Sequence, residues 1–248
     1  MAIKGLYPFA EKWSRHGAVW IYSDPHFGDS DQKYMDINWP SDEEQIKRIN
    51  SKVGKKDTLI ILGDCGDPAM CAQLRGYKVL VMGNHDAGRT NYERHKTHQY
   101  YPIRTWQKDE ALLDFKTRHP NLYNITIEVE VDNVCGDDQW YVTGDNRLFD
   151  EIYEGPLMIS EKLILSHEPL DIDWAFNIHG HNHNPQGKSD SHHLNVCSNV
   201  INYTPVSFNQ LIKNGLTSKV LTIHRETIAV ATKNKKKREL KKNGMVSL

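Results

Sequence analysis

The 248-residue chain is long enough to bury a sizeable core, and at roughly 150 residues per domain it reads as one domain with an insertion. Hydrophobic residues make up 38% and charged residues 25%, and no apolar run approaches the roughly 18–20 residues that cross a bilayer, so a membrane-spanning class is excluded and no membrane contact is expected. The formal charge of −1 hides an asymmetry: Lys233 to Lys242 holds seven basic residues and one acid, leaving 24 basic and 31 acidic residues elsewhere, a formal −7.

The 233–248 tail therefore reads either as a solvated helix end or as a contact for nucleic acid or another anionic surface. Met1 to Lys12 lacks the apolar stretch and small-residue cleavage site of a secretory signal, so a cytoplasmic location is expected. Cys65, Cys71, Cys135 and Cys197 form no CxxC pair and read as reduced thiols.

Along the chain, Ala18 to Ser23, Thr58 to Leu62, Lys78 to Met82, Leu163 to Ser166 and Phe176 to His179 are short apolar runs ending in polar residues, the pattern of buried strands. Asp42 to Val53 repeats Ile46, Ile49 and Val53 at helical spacing behind a Ser41/Glu44 capping box. Pro68 to Arg75 reads as a short helix closed by Gly76. Strand and helix thus alternate as in βαβ units, whose parallel sheet presents its loops at the C-terminal strand ends.

From Gly88 to Gly155 the pattern changes. The region of His95, His98 and Trp106, and then Lys108 to Pro120, reads as irregular or helical surface. Ile125 to Val131 alternates like a strand, and Trp140 to Thr143 pairs with it across a long loop. This segment reads as an insertion. Beyond it, His193 to Ile201 is expected as a strand, Pro205 to Ile212 as a helix, and Leu216 onward as mostly helical.

Five motifs fall in order where predicted strands stop: Asp24-Pro25-His26, Gly63-Asp64, Gly83-Asn84-His85-Asp86, Ser166-His167 and Gly180-His181-Asn182-His183. Oxygen and imidazole donors without thiolate suit manganese, iron, zinc, nickel or cobalt better than a structural cysteine site. Two Asp, one Asn and four His exceed the needs of one tetrahedral ion, but would serve two ions roughly 3.5–4 Å apart.

In these five motifs the chain resembles the calcineurin-like metallophosphoesterases, whose pattern is DxH, GD, GNH[D/E], H and GHxH; the segment Asn195 to Ser207 more loosely resembles the closing strand and turn of small bacterial and phage members. The resemblance implies an α/β fold, an αββα sandwich with two central β-sheets, and a centre of two divalent metal ions, manganese first among them. It implies that Asp24, His26 and His183 hold one ion, that Asn84, His167 and His181 hold the other, and that Asp64 bridges both. It also implies that His85 is catalytic, stabilising an oxyanion or protonating the leaving group, with Asp86 orienting its imidazole. The implied reaction is in-line attack on phosphorus by a hydroxide bridging the metals, without a covalent intermediate.

Cys65-Gly66-Asp67-Pro68 follows Asp64 in place of the DRG of the Ser/Thr protein phosphatases, and Asp86 stands in place of Glu, which disfavours a protein phosphatase. The expected activity is a phosphodiesterase acting on nucleotides or another small phosphoester. A nuclease on DNA or RNA and a non-catalytic scaffold are the alternatives. Residues 1–232 form the expected catalytic domain, with 88–155 covering the substrate through Trp106 or Trp140. Arg89, Arg94, Arg104 and Arg118 are the cations that segment offers to a monoester dianion. Cys65 is expected to pack in its loop, and alternation allows at most one of His192 and His193 to face substrate.

Overall fold

The computed structural model describes residues 3–86, 88–93, 96–102, 108–120, 122, 124–131, 138–145, 148–187, 189–221 and 223–242. Its strands are β1 (Val19–Tyr22), β2 (Thr58–Ile61), β3 (Tyr77–Val81), β4 (Lys96–Pro102), β5 (Asn124–Val131), β6 (Asp138–Asp145), β7 (Glu151–Tyr153), β8 (Leu157–Ser160), β9 (Leu163–Leu165), β10 (Phe176–His179), β11 (His193–Asn195) and β12 (Val206–Ser207). Its helices are α1 (Pro8–Glu11), α2 (Gln32–Met35), α3 (Asp42–Lys52), α4 (Pro68–Ala72), α5 (Lys108–Arg118), α6 (Phe208–Lys213) and α7 (Ile223–Lys242). None of the described helices is long and apolar enough to cross a membrane.

The first sheet has the order β12-β1-β2-β3-β7 and the second the order β11-β10-β9-β8. Strands β1, β2, β3 and β7 run parallel, as do β9, β10 and β11. Side chains alternate across a strand, and here the alternation builds two cores. Val19, Ile21, Ile60, Val79 and Val81 face Leu163, Leu165, Phe176 and Ile178 of the second sheet. Tyr22, Leu59, Ile61 and Leu80 face the other way, against Ile46 and Ile49 of α3 and Cys71 of α4. With both faces covered, the strands of the first sheet are mostly apolar, each large side chain contributing on the order of 1.5–3 kcal/mol by burial. The expected two-sheet α/β sandwich is therefore present. The outer face of the second sheet is polar, with Leu170 N–H donating to Asn177 Oδ1 at 2.8 Å and Asp190 against His193.

Helix α3 starts where the capping box places it: the Ser41 hydroxyl accepts from Glu44 N–H at 3.3 Å. The segment expected as an insertion over 88–155 is divided: Tyr92, Leu148 and Phe149 join the helix-side core and β7 pairs with β3 in the first sheet, while the residues between them build a unit apart. Strands β4, β6 and β5 form a third, antiparallel sheet, and α5 closes a small core of Tyr101, Ala111, Phe115 and Val142. The β5/β6 pairing was expected; β4 was not. Its sequence KTHQYYP lacks apolar alternation, and only Tyr101 among its described side chains is buried.

Three other expectations are corrected. The strand from His193 stops at Asn195, because the chain turns from Cys197 onward and reaches positive φ at Asn202 and Tyr203. Pro205 does not open a helix: Val206–Ser207 first pairs antiparallel with β1, and Ser207 then caps α6. Helix α4 ends at Ala72 rather than Arg75. His95, Arg94, Arg104, Trp106, Cys135 and residues 243–248 lie outside the described residues, as does the side chain of Trp140. Cys65, Cys71 and Cys197 are free and buried.

Candidate metal centre

All five motifs lie in the turns that leave β1, β2, β3, β9 and β10, at the C-terminal ends of the parallel strands. Asp24, His26, Asp64 and His181 have φ between +46° and +64°, a left-handed backbone that costs non-glycine residues roughly 1 kcal/mol or more each. The turns are held by hydrogen bonds between strands: Asp24 N–H to Gly63 O at 3.1 Å and His26 N–H to Asp64 O at 2.9 Å. Two glycines let them approach. A Cβ on Gly180 would lie 1.9 Å from Ser23 Oγ and 2.2 Å from Asp24 Oδ2, and one on Gly63 (φ +87°) would lie 2.6 Å from both Gly83 Cα and His167 Nδ1.

Two donor groups result. In the first, Asp24, His26 and His183 bring ligand atoms within 4.8 Å of one another; in the second, Asp64, His167 and His181 do the same. Asn84 joins the second group, its Oδ1 lying 2.8 Å from His167 Nε2, while His181 Nδ1 is 3.1 Å and Asp64 Oδ2 3.3 Å from that nitrogen. Asp64 Oδ2 also lies 3.6 Å from His26 Nε2, so one carboxylate oxygen stands between the groups.

The far side of each imidazole decides which lone pair is free. His167 Nδ1 lies 2.8 Å from the Leu62 carbonyl, which only accepts, so that nitrogen carries the proton and Nε2 faces the second group. His26 Nδ1 is bound in the same way by Asp29 Oδ2 at 3.2 Å. His183 Nδ1 meets Asn199 Oδ1 at 3.2 Å, the amide being oriented by its own Nδ2, which donates to His183 O at 2.7 Å. His26 Nε2 is buried without a hydrogen-bond partner, a costly arrangement that a cation beside Asp24 and His183 would resolve. Donor chemistry and the orphaned nitrogen both fit bound metal ions.

Charge accumulates as such a centre requires. Burial lowers His26 from its ordinary value, more than the charges of Asp24 and Asp64 restore it. Burial also pushes His167 down, but hydrogen bonding to Asp64 and the charges of Asp24 and Asp64 outweigh it and lift the ring to about 9. Asp64 is raised by burial and lowered further by its His167 contacts and by the His85 N–H at 2.9 Å, for a net shift downward. These carboxylates attract positive charge, which a metal ion supplies as well as a proton does.

Asp86 is engaged by the backbone of two loops. Its carboxylate accepts from Gly83 N–H at 2.7 Å, Asp64 N–H at 3.1 Å and Cys65 N–H at 2.9 Å, tying two motif loops together. His85 itself is exposed, its ring centroid 5.6 Å from that of His26. Cys65 is fully buried in the helix-side core, as expected, and burial raises its thiol well above the ordinary range. His193 is bound by Asp190 at 2.8 Å and the Leu170 carbonyl at 3.0 Å on the outer face of the second sheet.

The sequence reading missed several supporting residues. Asp29 and Asn199 hold imidazoles, Cys197 Sγ donates to Asp24 Oδ2 at 3.1 Å, and Trp39 packs against both His26 and His183, with ring centroids 6.1 Å and 5.7 Å away. Only Asp29, three residues after His26, lay close enough in sequence to be sought.

A two-sheet sandwich of mostly parallel strands with two Asp/His/Asn donor groups at its strand ends is a scaffold suited to binding metal ions. The chain belongs to the calcineurin-like phosphoesterase family, whose model matches residues 17–195 and whose members typically bind two metal ions. Among solved structures, a protein of unknown function from Aquifex aeolicus, AQ665, is similar at 19% identity, covering 79% of this chain and 98% of that chain with a TM-score of 0.48. No curated protein matches the chain.

Proposed function

We propose that the protein is a two-metal phosphodiesterase acting on nucleotides or another small phosphoester, with Asp24, His26 and His183 holding one ion, Asn84, His167 and His181 the other, and Asp64 bridging. The observation that carries this reading is the position of Asp64 Oδ2, 3.6 Å from His26 Nε2 and 3.3 Å from His167 Nε2. Two divalent ions, manganese first among the candidates, would supply Lewis-acid charge and a water acidic enough to attack phosphorus near neutral pH. His85, exposed and tethered through its N–H to Asp64, is the residue to protonate the departing oxygen. Asp86 acts on that step through the loop that carries both. Residues 1–232 form the catalytic unit in this reading, with 88–155 covering the substrate and a cytoplasmic location.

The preference for a diester is supported by the two candidate arginines among the described residues. Arg89 is engaged by Glu93 at 2.7 Å and Arg118 by Asp114 at 2.9 Å, so neither stands ready for the second charge of a monoester. A nuclease is the second reading, favoured by the exposed basic end of α7. The test is kcat/KM of manganese-loaded protein for bis(p-nitrophenyl) phosphate and p-nitrophenyl phosphate at one pH. The diester is expected to be preferred. Turnover of neither compound overturns the hydrolase reading, and a clear monoester preference overturns the diesterase part.

A further inference from the structure

A cleft of about 260 Å³ opens beside the second donor group, with Gly83, Asn84, His167, Gly155, Pro156 and Leu170 among its lining residues. Two exposed carboxylates, Glu154 and Glu168, complete its lining, and no lysine or arginine is among the described residues that line it. Arg89 Nη1 comes within 3.9 Å of Glu154 and softens its field, while Ser166 Oγ donates to the Glu168 carbonyl at 2.6 Å and fixes the turn that carries the other acid.

We infer that this cleft receives the alcohol arm of the substrate, and that Glu154 and Glu168 select an arm that is uncharged or cationic over one bearing further phosphate or carboxylate groups; this rests on the hydrolase reading above. The geometry follows from the shared wall. Asn84 and His167 belong both to the donor group, where a phosphoryl oxygen would rest, and to the cleft, so the ester arm that phosphorus keeps on that side, away from His85, leads its carbon chain into the cleft. Ligand pockets commonly run to roughly 300–1,000 Å³, so this one accommodates a small arm such as an amino alcohol, a polyol or one nucleoside, and not a polymer. The lining holds two carboxylates and no cationic lysine or arginine side chain among the described residues. A polyphosphate would therefore meet two like charges, of which Arg89 softens one, on a lining that offers it no lysine or arginine among the described residues, whereas a hydroxyl or ammonium group finds acceptors.

The experiment compares two ligands that share a phosphoryl group and differ in the arm. Phosphoethanolamine and phosphoglycolate are titrated calorimetrically into the manganese-loaded protein, and turnover of bis(p-nitrophenyl) phosphate is measured on the same samples. Two exposed charges, each altering affinity a few-fold, are expected to make phosphoethanolamine bind about tenfold tighter, with a preference that shrinks as salt rises. In Glu154→Gln/Glu168→Gln the preference should fall close to one. Equal affinities in the natural protein, a preference unchanged in the folded double variant, or no binding of either ligand would each overturn the inference. If the variant fails to fold, the ratio and its salt dependence in the natural protein decide. A retained arm preference with no diester turnover would overturn the hydrolase reading and leave the cleft assignment standing.

Discussion

Replacing Asp86 should weaken the fold before it touches the chemistry. In Asp86→Ala the N–H groups of Gly83, Asp64 and Cys65 lose their acceptor, now 2.7–3.1 Å away. A hydrogen bond to a charged group has a net worth of about 1.5–3 kcal/mol, but these three share two oxygens and the half-buried loop regains some water, so about 3–4 kcal/mol is expected rather than the full sum. At roughly 2–4 °C per kcal/mol for a chain of this size, Tm should drop by about 10 °C. Because Asp64 loses the anchor on its backbone, metal affinity should weaken as well. His85→Ala serves as the contrast: turnover reduced by about 10²–10⁴, with Tm and metal content near those of the natural protein. The assays are thermal unfolding, elemental analysis and turnover of both single variants and the double, which should be slower than either. An Asp86→Ala variant melting within about 2 °C of the natural protein, combined with a double variant no slower than His85→Ala alone, would show that Asp86 works through the imidazole after all.

Asp64→Ala is expected to abolish occupancy at both metal positions, and undiminished two-metal content by elemental analysis would remove the bridging assignment. Glu151 should shape the acid limb of stability. Burial raises its carboxyl, but hydrogen bonds from Tyr153, Lys12, Tyr77 and Trp13 outweigh this and hold it below the ordinary glutamate value. Its contribution is thus complete above the unfolded value and lost as pH falls through the lower folded one. Glu151→Gln should cost about 1–3 kcal/mol near neutrality and flatten the fall of Tm below about pH 4.5, and an unchanged acid limb would contradict the arrangement. Removal of residues 233–248 should leave hydrolysis of a chromogenic ester intact, since no donor residue lies there. If the nuclease reading holds, the truncation should weaken nucleic-acid binding and flatten its salt dependence.

The donor residues were legible because each sits at the end of a buried strand, and a strand of that kind announces itself: TLII and LIL are apolar at nearly every position. Their grouping was legible only through the order of five motifs, since His167 and Asn84 meet across 83 residues of sequence. What escaped was held by contacts without periodicity. Strand β4 hides its single buried tyrosine among polar neighbours, and β12 has two residues, too few to show a period. Asn199 orients His183 from sixteen positions away through a side-chain amide, a relation that no local pattern encodes. The backbone contacts of Asp86 escaped for a related reason: nothing in the motif shows that the turn sends its carboxylate back toward N–H groups of the preceding strand's loop.

Each donor group draws on both sheets. Asp24 and His26 come from the turn after β1 and His183 from the turn after β10; Asp64 follows β2, while His167 and His181 follow β9 and β10. An ion in either position would consequently be a rivet between two layers that otherwise adhere through apolar packing and a few hydrogen bonds such as His167 Nδ1–H to the Leu62 carbonyl. A ligand that binds only the assembled state adds RT ln(1 + [L]/Kd) to its stability, so the persistence of the sandwich becomes a function of how much metal the surroundings supply. Scarcity would then act on the lifetime of the chain as well as on its turnover, and the amount of protein surviving in a starved compartment would track the very ion it employs.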